Sequence, residues 1–414
     1  MANRKKDWGL KEKITFVIVM IVLYRIGVSV PIPFIDAANF ESFVTTPSVN
    51  NLLYAATMMG GSLTQLGVLS LGVMPFITAS IIMQLLKVVV PKIDEMYKND
   101  ADRQKLTQWT RYLTVFLAMT QSLGIVIGAP ALMGFDVFVT DSVWAKVLGI
   151  FTMVIGAVLA MRIGEEITLR GIGNGTSLVI FTSILVTLPG LIIQTYNSQG
   201  VEMALVFGGL LIAALGVILW VEKSELRVPI VYTKSSHNVS RSTQASMLPI
   251  KVAIAGVLPV IFASTLTMLP TMVSQFYTKP WMMEIANYMV YGSIPFIAVF
   301  ALLTVVFTFF SIKMVFDIDR ISTELRAQGG FIDGQRPGDE TKKHLRTLGN
   351  RMAVLDAIYL AVISIATFIA LPLLGITNNT FAATSLIILG TVVTTFIAAV
   401  DSERFKGKHE SMLY

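Results

Sequence analysis

The sequence predicts an all-α polytopic membrane protein, and three observations carry that prediction. Hydrophobic residues fill 54% of the 414 positions and charged residues only 14%, with a mean hydropathy of +0.71. A soluble chain of this length carries roughly 25% charged residues, so this one has too few to coat a water-facing surface. Ten apolar segments, near the length of about 20 residues that crosses a bilayer, lie at 14–31, 67–90, 109–129, 143–163, 176–194, 202–221, 251–274, 294–316, 350–373 and 381–400. Alternating ten-residue strands, the mark of an outer-membrane barrel, are missing.

The first segment follows a basic stretch ending at Lys13. No small-residue cleavage site comes after it, so it reads as a retained helix and not as a signal peptide. Residues 52–66 (LLYAATMMGGSLTQL) include Gly60-Gly61 and reach only half a span. Unless it lies at the interface, such a piece is expected to be re-entrant, buried in protein or lining a cavity. Two connections are long, 222–250 and 317–349. In the first, Val228, Ile230 and Tyr232 alternate with other residues, as in a hairpin strand. The second gathers Gly329, Gly330, Gly334, Arg336, Pro337 and Gly338, turn formers among basic residues. Ten spans divide as five plus five about a short link near 195–201, giving halves 1–198 and 199–414. Inverted five-span halves are common in transporters and channels, though no residue-level repeat is visible here.

The net charge of +6 resolves once it is mapped. With the N-terminus inside, 28 of the 32 Lys and Arg fall in inside segments. Lys146 and Lys279 fall outside, while Arg25 and Lys87 lie within spans, near enough to their ends to snorkel. The positive-inside rule then puts both termini and both long loops in the cytosol.

Side chains for catalysis are scarce. There is no cysteine, so disulfides and thiolate metal sites are excluded, and no H-E-x-x-H, G-x-S-x-G or phosphate loop is present. No cofactor, metal or enzymatic activity is expected. Gly171, Gly173 and Gly175 are spaced G-x-G-x-G, with no preceding strand and no acid at the distance a dinucleotide site needs. They read as a tight cytosolic turn, with Asn174 or Ser177 capping the next helix. Glu165 and Glu166 close span four within reach of water. Asp356, about two turns into span nine, is the only acid well inside a span by this reading. It is either a functional carboxylate or a structural one, neutral or paired with Arg351. Val73 and Ile77 share a helix face, and Thr176 and Ile180 repeat the spacing. Ordinary packing explains both pairs, and so does an aliphatic ring that gates a pore by excluding water.

Taken together, several stretches resemble one family, the SecY protein-conducting channels. They are Arg25-Ile-Gly, Pro31-Ile-Pro33, Gly60-Gly61, Leu71-Gly-Val-Met-Pro-Phe-Ile77, Ser80-Ile-Ile-Met-Gln-Leu-Leu86, Thr110-Arg-Tyr112, Gly164-Glu-Glu-Ile-Thr168 and Gly171-Ile-Gly-Asn-Gly175. Leu248-Pro-Ile-Lys251, Ala255-Gly-Val-Leu-Pro259, Ile261-Phe-Ala-Ser264, Gly330-Phe331 and Arg336-Pro-Gly338 continue the match in order along the chain.

The resemblance implies ten helices in two pseudo-symmetric halves that open like a clamshell. It implies a plug at 52–66 containing Met58, Met59, Gly60 and Gly61, and a pore ring of Val73, Ile77, Thr176, Ile180, Ile261 and Ile388. A lateral gate between spans two and three on one side and seven and eight on the other would involve Thr78, Gln84, Gln121 and Ala253. Arg241, Arg336, Pro337 and Gly338 would dock the SecA ATPase or the ribosome. Expected partners are SecE-like and SecG-like small membrane subunits, signal sequences, nascent polypeptides and the lipid of a bacterial cytoplasmic membrane. For both arginines, orientation-setting charge on a solvated loop is the plainer reading.

Three positions depart from the family's usual pattern. Thr176 puts a hydroxyl in the ring, Ala253 stands where many members carry an asparagine, and Gln244-Ala-Ser-Met-Leu-Pro249 replaces Gln-Ser-Thr-His-Leu-Pro. These keep open an accessory paralogue beside the main channel. A secondary transporter is the rival from another class, and it calls for ionisable side chains meeting near the bilayer midplane.

Overall fold

The computed structural model describes residues 9–34, 67–133, 142–232, 246–276, 279–289, 293–327, 329–332, 334, 338–373 and 381–410. The expected plug residues Met58, Met59, Gly60 and Gly61, the loop arginines Arg241 and Arg336, and Pro337 lie outside them.

Helix α1 (Leu10–Ser29) buries Val17, Tyr24 and Val28 and exposes Ile18, Val22 and Ile26 on its other side. An apolar exposed face is what lipid requires. Span two was expected from residue 67, but its helix α2 (Met74–Val89) starts later. Residues 67–73 form successive turns instead, tied to α1 by a Pro31–Gly67 bridge and by the Val68 N–H on the Val30 carbonyl at 2.7 Å. Pro91 then ends the span: it restricts Val90 to extended backbone, and the next helix α3 (Pro91–Lys98) turns 108° away from α2.

The long helices α4 (Asp100–Met133), α5 (Val143–Arg170), α6 (Gly175–Gln199) and α7 (Val201–Glu222) follow. The first loop is the expected hairpin, β1 (Glu225–Tyr232) paired antiparallel with β2 (Ser246–Lys251). Val228 and Ile230 face inward while Arg227 and Pro229 are exposed, the period-two pattern read in the sequence. A third strand, β3 (Gly330–Ile332), comes from the second loop and was not anticipated. It pairs only with Ile230–Tyr232, so Pro229, which has no N–H to give, keeps a single neighbour.

Span seven is also shorter than expected. Residue 251 belongs to β2, and helix α8 (Leu258–Phe276) begins only after an irregular link. Helices α9 (Pro280–Tyr288), α10 (Ile294–Val315) and α11 (Ile318–Ala327) come next. The second loop therefore holds a helix as well as a strand. Helix α12 (Asp339–Leu373) starts eleven residues or so before the expected span, and α13 (Phe381–Glu410) closes the described chain.

Each of the ten apolar segments coincides with helix among the described residues. Among the described residues, six helices are long and apolar enough to cross a membrane, or seven if the bent pair α2–α3 is one span. Lys11, Glu12, Lys13 and Arg25 keep α1 out of that number. Spans α8, α10 and α12 interlock through aromatic rings. Phe262 meets Phe307 edge-on at 5.2 Å, and Phe368 meets Phe300 and Phe296 at 5.0 and 5.5 Å. Hydroxyls buried among them bond back to the preceding turn, Thr304 to the Phe300 carbonyl and Thr308 to the Thr304 carbonyl. That disposes of polar groups where water is absent.

Candidate channel ring and its supports

Of the expected ring positions, all but Ile388 fall within two turns of a helix start. Val73 is the residue before α2, and its carbonyl accepts the Ile77 N–H at 3.0 Å. Ile180 is in the second turn of α6, and Ile261 is in the first turn of α8. Ile388 comes from α13, in the opposite half of the chain. These five side chains are buried, none more than 8% exposed, and all belong to one apolar cluster. An i, i+4 spacing explains each pair on one helix, whereas the gathering of four helices on one cluster is a property of the fold.

Thr176 stands somewhat apart. It is half-buried, and its hydroxyl lies 3.5 Å from where a Cβ on Gly164 of α5 would be. Its surroundings are thus the α5–α6 junction at least as much as the apolar cluster.

That junction is built by two of the sequence motifs. Asn174 caps α6, its carbonyl oxygen accepting the Thr176 and Ser177 N–H groups at 3.1 and 3.3 Å. Of the two capping candidates, Asn174 is the one used. The Gly175 N–H donates to the Thr168 hydroxyl at 2.9 Å. A Cβ on Gly175 would run into the Gly164 carbonyl oxygen, so the two motifs touch through their glycines. Gly173 takes φ +75°, the left-handed region that favours glycine. The turn reading of this loop holds.

Beside it, Arg111 clasps Glu165 with two parallel bonds, Nε at 2.9 Å and a terminal nitrogen at 3.0 Å. The Thr110-Arg-Tyr112 and Gly164-Glu-Glu stretches, 54 positions apart, thereby fix α4 to α5. A bidentate guanidinium–carboxylate pair gives orientation as well as energy.

The expected gate residues are distributed over three elements. Thr78 on α2 is half-buried and donates to the Met74 carbonyl at 3.0 Å, and Gln84 is half-buried on the same helix. Gln121 on α4 has its carbonyl oxygen buried with no hydrogen-bond partner among the described residues. Ala253 is buried in the link between β2 and α8, ahead of the helix itself. Gly338, the described member of the docking set, takes φ +114° and accepts the Lys342 N–H at 3.1 Å where α12 begins.

Two buried acids needed the structure. Asp356 is fully buried, and its Oδ2 accepts the Ala255 N–H at 2.8 Å. Arg351 is exposed, and the Asp356–Arg351 pairing that the sequence left open is not formed. Glu222, which the sequence placed in the loop, is 3% exposed at the end of α7 and accepts the Thr391 hydroxyl at 2.7 Å. Asp356 is therefore not the sole buried acid. Both carboxylates tie a helix to a distant segment, α12 to the 252–257 link and α7 to α13. No sequence signal marks Glu222, because its burial depends on packing 169 residues away. Among the described residues, no group of three or more His, Cys, Asp or Glu could hold a metal ion.

The profile of the SecY family matches residues 67–397, and a protein translocase subunit SecY from Corynebacterium glutamicum is 37% identical over 99% of this chain and 98% of its own length. The chain belongs to the SecY family. Solved structures agree on the fold. A protein-conducting channel superimposes with a TM-score of 0.65 at 17% identity, covering 98% of this chain and 95% of the other. An idle yeast Ssh1 complex bound to the 80S ribosome gives 0.68 at 15% identity, covering 97% and 91%. This SecY-family chain is thus a multi-pass membrane protein and the protein-conducting channel subunit of a Sec translocon, not an enzyme. The transporter reading falls with that assignment.

Proposed function

We propose that Val73, Ile77, Ile180, Ile261 and Ile388 form the constriction of this channel, with Thr176 at its rim. The observation that supports the reading is their convergence from α2, α6, α8 and α13 on one buried apolar cluster. Such a ring closes on itself by excluding water, and it parts for an extended polypeptide without sequence-specific bonds. Unfolded secretory chains pass through it across a bacterial cytoplasmic membrane, from the cytosolic side set by the charge bias. The halves 1–198 and 199–414 hinge between α6 and α7. Membrane helices and signal sequences leave sideways past Thr78, Gln84, Gln121 and Ala253, drawn by the lower free energy of an apolar helix in lipid. Residues 52–66, with Met58, Met59, Gly60 and Gly61, plug the outer side. A SecE-like subunit clamps the halves, a SecG-like one accompanies it, and a SecA ATPase or a ribosome docks at Arg241, Arg336, Pro337 and Gly338. The Arg336-Pro-Gly motif favours the main channel over an accessory paralogue.

The test is transport into vesicles that contain the chain, its small subunits and a SecA ATPase. The wild type imports a secretory substrate when ATP is added, and Arg336→Glu assembles in the membrane but imports little. Normal import by that variant removes Arg336 from the mechanism. Purification without a SecE-like subunit at a one-to-one ratio contradicts the clamp.

A further inference from the structure

The two buried acids, Glu222 and Asp356, are brought to one place by the ties they make. Glu222 ends α7, and just beyond it the Ser224 carbonyl accepts the Val252 N–H at 2.9 Å. That bond lays the 252–257 link against the end of the helix. Within the link, Gly256 takes φ +62°, and the Ala255 N–H beside it reaches Asp356 of α12. A Cβ on Gly256 would lie 3.8 Å from the Thr391 methyl of α13, and the Thr391 hydroxyl bonds to Glu222. The segments thus close on both carboxylates, which lie within electrostatic reach of one another.

The cluster is short of positive charge. Lys251, half-buried at the end of β2, attracts Glu222 but makes no ion pair with it. Asp356 has no cationic partner among the described residues, and Glu222 repels it. Two carboxylates against one ammonium leave one negative charge in a site whose acids are 0% and 3% exposed. An unmatched charge at that depth is costly.

Oxygen atoms are left over as well. Asp356 Oδ1 and the Tyr359 hydroxyl are buried with no hydrogen-bond partner among the described residues. Asp356 and Tyr359 share a face of α12, three positions apart. The Tyr359 hydroxyl is within electrostatic reach of both acids. The Thr391 hydroxyl donates its proton to Glu222 and keeps its lone pairs. Donors that are all oxygen suit hard cations. A single residual negative charge suits a monovalent ion over a divalent one.

We propose that Glu222, Asp356, Tyr359 and Thr391 form a binding site for one small monovalent cation of the sodium class. Asp356 Oδ1 and Glu222 hold the ion, and the two hydroxyls are neutral ligands. The ion joins α7, α12 and α13 beside the link that leads into α8. The site is independent of the constriction reading. Helices α8 and α13 carry Ile261 and Ile388, but the ion binds whether or not those side chains close the pore.

The test is binding of radioactive sodium to the purified chain with its small subunits, read without substrate, motor or ATP. Wild type is expected to hold one sodium ion per chain, saturably, in a choline chloride buffer. Asp356→Asn keeps an oxygen for the Ala255 N–H and removes the charge. Its affinity should fall roughly tenfold to a hundredfold, the scale on which metal sites respond to a lost supporting group. Thermal unfolding in choline chloride, with sodium left out, checks that this variant is folded. Tyr359→Phe breaks no hydrogen bond among the described residues, so it tests the site without disturbing the fold, and it should weaken binding by a smaller factor. Glu202→Gln, which alters an exposed acid at the other end of α7, should leave binding unchanged. No saturable sodium binding by the wild type overturns the proposal and leaves a proton to neutralise the pair. Binding unchanged in both Asp356→Asn and Tyr359→Phe overturns it too, as does an equal loss in Glu202→Gln.

Discussion

The proposed apolar ring and the helix junctions beside it are held by opposite kinds of force. At the proposed ring, the five side chains are aliphatic and share one buried apolar cluster, where burial and not directional bonding holds them. At the α4–α5–α6 junction, a bidentate ion pair, a cap and a glycine contact fix angles to within a hydrogen bond's tolerance. The β2–α8 link and the end of α7 follow the second pattern, through Asp356 and Glu222. A surface that must part and close loses little by being non-directional, since burial depends on area and not on angle. The frame around it must return each side chain to the same place. Substitutions in the frame should therefore cost stability, and substitutions in the ring should cost tightness.

The largest stability effect is expected at Asp356. Asp356→Ala leaves the buried Ala255 N–H without an acceptor and opens a small void, for a loss of about 3 kcal/mol. Asp356→Asn keeps an acceptor and should lose no more than about 1 kcal/mol. Thermal unfolding of the purified complex reads both, and equal losses would show that the charge matters and not the hydrogen bond. Next comes Arg111→Ala, which deprives the partly buried Glu165 of its bidentate partner and leaves only the exposed Arg162, at about 2 kcal/mol. A double variant with Glu165→Ala should lose clearly less than the sum of the two single losses. Additive losses would mean that the clasp contributes nothing as a pair.

Smaller still is Thr391→Val, which removes the hydroxyl from Glu222 at about 1 kcal/mol. Neither unfolding nor transport should change much beyond that, and a collapse of transport alone would move Glu222 from the frame into the mechanism. The smallest is Thr176→Val, within about 0.5 kcal/mol in stability, because the side chain is only half-buried. Since its hydroxyl lies against Gly164, ion leak through the closed channel should barely fall. A marked fall would place Thr176 on the pore wall after all.

Local chemistry made much of this legible in the sequence. The spans showed as apolar runs, the first hairpin as alternation at Val228 and Ile230, and the 171–175 loop as a glycine turn with Asn174 in capping position. Helix starts at Met74 and Leu258 were harder, because residues 67–73 and 252–257 are as apolar as the helices they precede. Hydropathy marks membrane depth and does not mark where helix begins. β3 is three residues long and gains its partner only from β1, about 100 positions earlier. Glu222 was invisible for the same reason: its partner Thr391 is distant in the chain, and the residue alone looks like ordinary surface charge.

The most direct test of the ring is ionic conductance of the purified channel in planar bilayers, with Ile77, Ile180 and Ile388 each replaced by glycine. The account predicts a quiet wild type and a measurable leak in each variant, while Asp356→Ala, which loses stability outside the ring, stays quiet. Conductance unchanged in all three would contradict the claim that these side chains close the pore.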